Sequence, residues 1–261
     1  MSLESFGVLN LNNGFGSRRF GKFDYRDALG VFFVFATFLP LVTFLINFLY
    51  GNFSGDFLEE KYRDGTDEIY QVLVLLLSTI LSGVLIFLLV KYEMHVSDFQ
   101  GVLNISGFTK TSLSSISLSF GLGFLIVLFQ GGVLFQLFPP SQKMEVDSLI
   151  LLSRRSSISI WLMLLIIVVI VAPLVEEFVF RGLIFLGMKN SFGDFAGAMI
   201  ASILFLVVHF QIFLKGYWVS IISISAMSFL AGILRVKFDS LLPAIFGHAG
   251  YNFAAIIFSR L

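Results

Sequence analysis

Two adjacent carboxylates and an arginine follow directly on a long apolar run. Glu176, Glu177 and Arg181 come at the end of the run from Ile158 to Val175, which is long enough to span a bilayer. A charged group in that environment costs roughly 2.5–3.5 kcal/mol on insertion scales. Three such groups together therefore indicate a functional site, in which a carboxylate could take a proton from water.

The spacing within this motif separates the two acids. On a helix, Glu177 and Arg181 are four residues apart, so they share a face and can pair. Glu176 is rotated by about 100° from Glu177 and faces elsewhere. We therefore expect Glu176 to be the acid that does chemistry, with Glu177 and Arg181 in support. The alternative is a salt bridge that merely ends the span, for which two adjacent acids are more than is needed.

The apolar segments that follow supply further polar groups. The chain has three histidines, and two of them, His209 and His248, lie in or at the end of apolar segments. His248 and Asn252 are four residues apart, so they share a helix face. Polar groups deep in a span usually face the bundle interior. Taken alone, His209 would be an interfacial histidine, and His248 with Asn252 would supply hydrogen bonds between helices.

Taken together, these groups could form one hydrolytic centre. If Glu176, His209, His248 and Asn252 line a cavity, the carboxylate would activate water and the histidines would stabilise an oxyanion or relay protons. Glu176, His209 and His248 could instead bind zinc and leave one position open for water. Buried Glu and His also build proton relays in transporters, although the internal repeat typical of transporters is not detected.

The elements that must position these residues are transmembrane helices. Of 261 residues, 57% are hydrophobic and 13% are charged, whereas about a quarter are charged in a soluble domain. The long apolar runs predict an all-α, polytopic transmembrane bundle of about seven spans, within a range of six to eight. The predicted spans cover residues 28–49, 69–90, 113–138, 158–175, 195–210, 217–234 and 241–258.

Composition also bounds the domains and the partners. Residues 1–27 are predicted to be a polar N-terminal tail, and residues 28–261 a membrane domain whose catalytic core covers about 158–258. The partners expected are membrane lipids and not nucleic acid, because the net charge is zero. With no cysteine, disulfides and thiolate metal sites are excluded. The distribution of lysine and arginine places the N terminus and the glutamate motif toward the cytoplasm.

Three ordered motifs resemble those of the CPBP family of intramembrane proteases. This family includes the type II CAAX prenyl endopeptidases and bacterial bacteriocin-processing or self-immunity proteins. The flanking residues are also similar, with Ala-Pro before the glutamates and Phe-Arg-Gly after them. The resemblance covers residues from about 169 to 258. The motifs are Glu176-Glu177-x-x-x-Arg181, Phe205-x-x-x-His209 and His248-x-x-x-Asn252.

The resemblance implies an endopeptidase that cuts a membrane-associated or lipidated peptide, in a bacterial plasma membrane. It implies that Glu176 is the general base, that His209 assists in the same centre, and that His248 and Asn252 form an oxyanion-stabilising pair. Glu177 and the arginine that follows it would support the site.

Two questions stay open at this point. Members of the family are described both as metalloproteases and as metal-independent glutamate proteases. The histidine–asparagine pair favours the second form, with no cofactor, and leaves zinc as the alternative. A non-catalytic scaffold or a bacteriocin self-immunity protein that keeps the same fold is the alternative function.

Overall fold

The computed structural model describes residues 23–54, 63–93, 99–137, 152–154, 156–214 and 218–260. The secondary-structure elements of this part of the chain are helical. Helices are expected because a backbone in hydrocarbon must satisfy its hydrogen bonds within its own segment. The predicted all-α bundle is therefore confirmed. Most of the predicted N-terminal tail, residues 1–22, lies outside the described residues, and the first helix begins at Tyr25.

Nine helices of the described residues position the site. We number them α1 to α9 in chain order, and α4 and α5 each include wide, π-helical turns. Their bounds are α1 Tyr25–Ser54, α2 Arg63–Glu93, α3 Phe99–Ser106, α4 Leu113–Leu137, α5 Ile158–Phe192, α6 Asp194–Val208, α7 Phe210–Leu214, α8 Trp218–Phe238 and α9 Leu241–Arg260.

Among the described residues, six helices are long and apolar enough to cross a membrane, namely α1, α2, α4, α5, α8 and α9. Helix α6 is apolar but has only 15 residues. At 1.5 Å per residue it rises about 22 Å, short of the hydrocarbon thickness of about 30 Å. The expected bundle of about seven spans thus consists of six spanning helices and one shorter apolar helix, which ends just before His209.

Helix α5 extends well beyond the predicted fourth span. The predicted span ends near Val175, but the helix continues to Phe192 and has 35 residues. A proline within a helix removes one hydrogen bond and crowds the preceding turn. Here the wide turn Ile167–Val171 comes just before Pro173 and changes the hydrogen-bond spacing there. Glu176 therefore lies near the middle of a helix and not at its end.

The C-terminal half of α5 is the centre of the bundle. A second wide turn, Phe178–Ile184, is buried on all sides because α1, α3, α6, α8 and α9 pack around it. The ring of Phe180 meets Phe35 of α1 edge-on at 5.7 Å and Phe205 of α6 at 5.2 Å. Apolar packing on every side thus fixes the segment that directly follows the two glutamates.

Glycines at the contact allow α9 to pack closely against α4. A Cβ atom on Gly123 would overlap the carbonyl oxygen of Gly247, and one on Gly250 would overlap that of Phe120. Small residues allow such close backbone approach in membranes. By contrast, a Cβ atom on Gly121, which is also in α4, would meet no neighbouring atom within 4 Å. The close contact sets the position of α9, which carries His248 and Asn252.

Helix α6 folds back along the end of α5 through a single residue, Gly193. Its φ of 86° is a conformation that glycine adopts readily and other residues rarely adopt. Helix α6 is then joined to α8 by two reciprocal hydrogen bonds. The hydroxyl of Ser202 donates to the carbonyl of Ser228, and the hydroxyl of Ser228 donates to the carbonyl of Ser202, both at 3.1 Å.

Candidate active site

Glu177 is the central acceptor of the site. Its Oε1 atom lies 3.1 Å from Nη1 of Arg181 and 2.8 Å from Nδ1 of His248. The side chains of Glu177 and Arg181 are fully buried. The pairing that the four-residue spacing predicts is therefore present, and it is also shared with a histidine from α9. Because a buried charge is costly unless it is paired and hydrogen-bonded, this arrangement makes the buried carboxylate tolerable.

His248 lies between the two glutamates. Its Nδ1 atom contacts Glu177, and its Nε2 atom lies 4.0 Å from Oε2 of Glu176. A carboxylate accepts hydrogen bonds, so the contact with Glu177 places a proton on Nδ1. The Nε2 atom is then the ring atom directed toward Glu176.

The two acids differ in their access to solvent and ligands. The side chain of Glu176 is 22% exposed, whereas that of Glu177 is 0% exposed. This difference follows from the 100° rotation between neighbouring residues of a helix. Glu177 is committed to its buried partners, and Glu176 is the acid that a water molecule or a substrate can reach.

Arg181 has additional partners that the sequence analysis missed. Its Nη2 atom donates to the carbonyl oxygen of Ser228 at 2.6 Å and to the hydroxyl of Ser228 at 2.7 Å. A buried guanidinium has five N–H donors, so it needs more acceptors than one carboxylate. That count predicts further acceptors near Arg181. It does not identify Ser228, because serine is common in apolar spans and carries no motif.

Phe205 brings together several of the predicted residues. Its ring centroid lies 4.4 Å from that of His209 in a stacked arrangement and 5.8 Å from that of His248, which it meets edge-on. The guanidinium carbon of Arg181 lies 4.7 Å from the same ring. The face of an aromatic ring attracts a cation, so Phe205 stabilises Arg181 as well as packing against both histidines. In the sequence analysis Phe205 is only a part of the motif around His209.

His209 lies at the break between α6 and α7. Its backbone is not helical, with φ −95° and ψ 12°. Its Nδ1 atom is 2.9 Å from the carbonyl oxygen of Phe205, and the side chain is half-buried. The structure therefore places His209 beside the site through Phe205.

Asn252 anchors α9 to the first wide turn of α5. Its Nδ2 atom donates to the carbonyl oxygen of Val168 at 2.8 Å. An amide group has two N–H donors, and this bond uses one of them. Asn252 lies one helical turn from His248, on the face that both were predicted to share. Their action as an oxyanion-stabilising pair stays a prediction.

The arrangement does not fit the zinc site considered as an alternative. Within the described residues, no group of three or more His, Asp or Glu side chains is placed to hold a metal ion. Glu176 and His248 are neighbours, but His209 packs against the ring of Phe205 and its Nδ1 is bonded to the backbone.

Comparison with known proteins finds one family that resembles a segment of the chain. Residues 158–254 match the family described as Rce1-like, type II CAAX prenyl endopeptidase Rce1-like. The matched segment contains Glu176, Glu177, Arg181, His209, His248 and Asn252. Searches of curated proteins and of solved structures returned no match. With six helices long enough to span a bilayer, this integral membrane protein is similar over residues 158–254 to the CAAX intramembrane proteases.

Proposed function

We propose that this protein is an intramembrane endopeptidase in which Glu176 activates a water molecule to hydrolyse a membrane-associated or lipidated peptide. The proposal rests on one observation, which is that the two glutamates differ in their burial and in their partners. Glu177 is buried and bonded to Arg181 and His248, whereas Glu176 is partly exposed and faces Nε2 of His248. A general base must reach the water that it deprotonates, and only Glu176 of the two meets that requirement.

The reaction would proceed by addition and elimination. Glu176 takes a proton from water, and the water oxygen bonds to the scissile carbonyl carbon. The π electrons of that carbonyl move onto its oxygen. When the tetrahedral intermediate collapses, the C–N bond breaks and the proton held by Glu176 passes to the leaving nitrogen. The products are a carboxylic acid and an amine, and the carboxylate of Glu176 is restored.

His248 and Asn252 are suited to stabilise the oxyanion. With Nδ1 held by Glu177, the Nε2 atom of His248 is the ring position that meets the reacting groups. In its imidazolium form, which carries a proton on each ring nitrogen, His248 would donate through Nε2–H, and with the second amide N–H of Asn252 it would share the developing negative charge. Preorganised donors of this kind need no rearrangement during the reaction, and Glu177 with Arg181 keeps the ring of His248 in place.

No metal has a role in this mechanism. The carboxylate–histidine arrangement supplies the base and the oxyanion donors, and the three side chains considered for zinc are not grouped to bind it. We therefore propose a glutamate-type protease without a cofactor, whose partners are membrane lipids and the peptide or lipidated substrate.

We further propose that the N terminus and the site face the cytoplasm, in a bacterial plasma membrane. The side chain of Asn190 bonds to the carbonyl of Phe23, next to the start of α1. Lys189 contacts Asp239, which also pairs with Arg235. Lys189 and Arg235 thus lie at the same end of the bundle as Phe23 and the start of α1, which supports that orientation.

The test is cleavage of quenched hydrophobic peptides, with and without a prenyl group, by the full chain in lipid nanodiscs. Glu176→Gln keeps the size of the side chain and removes the base, so we expect kcat to fall by roughly 10²–10⁴-fold. Asp194→Asn removes an exposed carboxylate at the end of the bundle and serves as the matched control. Undiminished cleavage by Glu176→Gln would refute the proposal. Loss of activity with a chelator and its return with zinc would refute the metal-free form.

A further inference from the structure

Arg235 is a buried cation that the proposed mechanism does not use. The predicted sixth span ends at residue 234, so Arg235 is expected to lie just after it. Instead, α8 continues to Phe238, and the side chain of Arg235 is only 6% exposed. Because burying a charge is costly unless it is paired and hydrogen-bonded, its partners define what it can do.

The guanidinium of Arg235 contacts four residues, two of which lie in α5. Its Nε donates to the carbonyl oxygen of Arg181 at 3.1 Å, and its Nη1 donates to Oδ1 of Asp239 at 3.1 Å. The group also lies over the ring of Phe185, with its carbon 5.0 Å from the ring centroid. Its Nη2 lies against Gly107, where a side chain would overlap it. Arg235 is thus bound on several sides.

The carbonyl of Arg181 lies within the wide turn Phe178–Ile184. In a regular α-helix the N–H of Phe185 would donate to the carbonyl of Arg181. Here that N–H is directed to the carbonyls of Gly182 and Phe180 instead. The Nε–H of Arg235 supplies the carbonyl of Arg181 with a donor from α8.

Asp239 holds the other end of the guanidinium. It is the one non-glycine residue with positive φ in the described part of the chain, at 43°. The hydroxyl of Thr109 donates to its carbonyl at 3.0 Å, and the hydroxyl of Ser240 donates back to the carbonyl of Thr109 at 2.8 Å. A left-handed conformation persists where the surroundings stabilise it. Asp239 is therefore a fixed acceptor that orients Arg235.

We propose that Arg235 is a positioning residue for the catalytic centre. By holding the backbone of Arg181 it sets the shape of the wide turn, and thereby the place of the Arg181–Glu177 pair and of His248. This inference rests on the proposed function in what it says about catalysis. Its other part, that Arg235 holds the wide turn, does not depend on that function. Arginine is required because its planar fork serves two acceptors in fixed directions, whereas lysine presents a single compact charge.

The experiment compares Arg235→Met and Arg235→Lys with the wild-type chain in nanodiscs. Lys237→Met is the matched control, because Lys237 lies two residues further along α8, is exposed, and contacts the ring of Phe238. Two kinds of measurement are made on each variant. One is the rate of amide hydrogen exchange in residues 178–185. The other is the steady-state kinetics of cleavage, which gives KM and the kcat per folded molecule.

We expect Arg235→Met to raise exchange in residues 178–185 at least tenfold, while exchange in α4 stays within twofold of wild type. We expect kcat to fall by roughly 10–100-fold with KM nearly unchanged, since misplacement of catalytic groups by about 1 Å costs up to 10²-fold. Arg235→Lys should be intermediate and Lys237→Met should match wild type.

Unchanged exchange in residues 178–185 of both Arg235 variants would overturn the inference. So would a loss of activity that only follows the folded fraction, with kcat per folded molecule preserved. If the wild-type chain cleaves no peptide, the proposed function fails, and hydrogen exchange still decides whether Arg235 holds the wide turn.

Discussion

The Nδ1 atom of His248 lies 2.8 Å from Oε1 of Glu177, and this contact joins α9 to α5 at the centre of the candidate site. The same carboxylate oxygen accepts a hydrogen bond from Arg181 at 3.1 Å. Glu177 thus links a buried cation to a histidine whose opposite nitrogen faces Glu176. Through this contact Glu177 orients the ring of His248.

The buried pair of Glu177 and Arg181 predicts a specific pattern of stability. Either Glu177→Leu or Arg181→Met leaves an uncompensated partner in the core, and we expect each to lower the free energy of unfolding by about 3–5 kcal/mol. The double variant Glu177→Leu with Arg181→Met should be less destabilised than the sum of the single changes, because no charge is left unpaired. Denaturation in mixed micelles measures these differences. Additive losses would show that the two side chains do not interact.

The contacts of Phe205 predict an effect on both stability and catalysis. Phe205→Leu keeps an apolar side chain but removes the ring faces that meet Arg181, His209 and His248. We expect a loss of stability of about 1–3 kcal/mol from aromatic and cation–π contacts, and a lower kcat. Phe44→Leu is the control, because Phe44 makes an aromatic contact with Phe48 within α1. Equal effects on kcat in the two variants would contradict this role of Phe205.

The hydrogen bond from Arg181 to Ser228 predicts a difference between two buried serines. Ser228→Ala removes an acceptor of a charged group, so we expect a loss of about 1.5–3 kcal/mol. Ser223→Ala removes a neutral hydrogen bond to Tyr251, at 2.9 Å, and should cost about 0.5–1.5 kcal/mol. Equilibrium unfolding of both variants under the same conditions makes the comparison. A smaller loss for Ser228→Ala than for Ser223→Ala would count against a charged partner at that position.

The contact between α4 and α9 predicts opposite outcomes for two neighbouring glycines. Gly123→Ala would force its Cβ into the carbonyl of Gly247, so we expect a loss of at least about 1–3 kcal/mol from overpacking and a lower yield of folded protein. Gly121→Ala meets no atom within 4 Å and should be neutral or slightly stabilising, since alanine favours helix by about 1 kcal/mol over glycine. Thermal unfolding of the two variants in the same detergent measures this difference in stability. Similar melting temperatures would mean that the helices are not in close contact at Gly123.

Much of the fold and part of the site follow from local properties of the sequence. The long apolar runs determine an all-helical membrane bundle, because hydrocarbon leaves the backbone no other hydrogen-bond partners. The four-residue spacing of Glu177 and Arg181 determines that they pair, and the rotation of a helix separates Glu176 from them. These features depend only on residues close together in the chain.

Only the tertiary structure decided which distant residues meet. His248 contacts Glu177 across 71 positions, Ser228 contacts Arg181 across 47, and Arg235 contacts the Arg181 backbone across 54. Such contacts depend on where α8 and α9 pack against α5. The position of α9 depends in turn on its close contacts with α4 at Gly123 and Gly250. Helical periodicity says which face a residue occupies, but not which helix that face meets. The wide turns of α5 likewise depend on the packing around them. One of them comes just before Pro173, and the other contains the carbonyl of Arg181 that Arg235 binds.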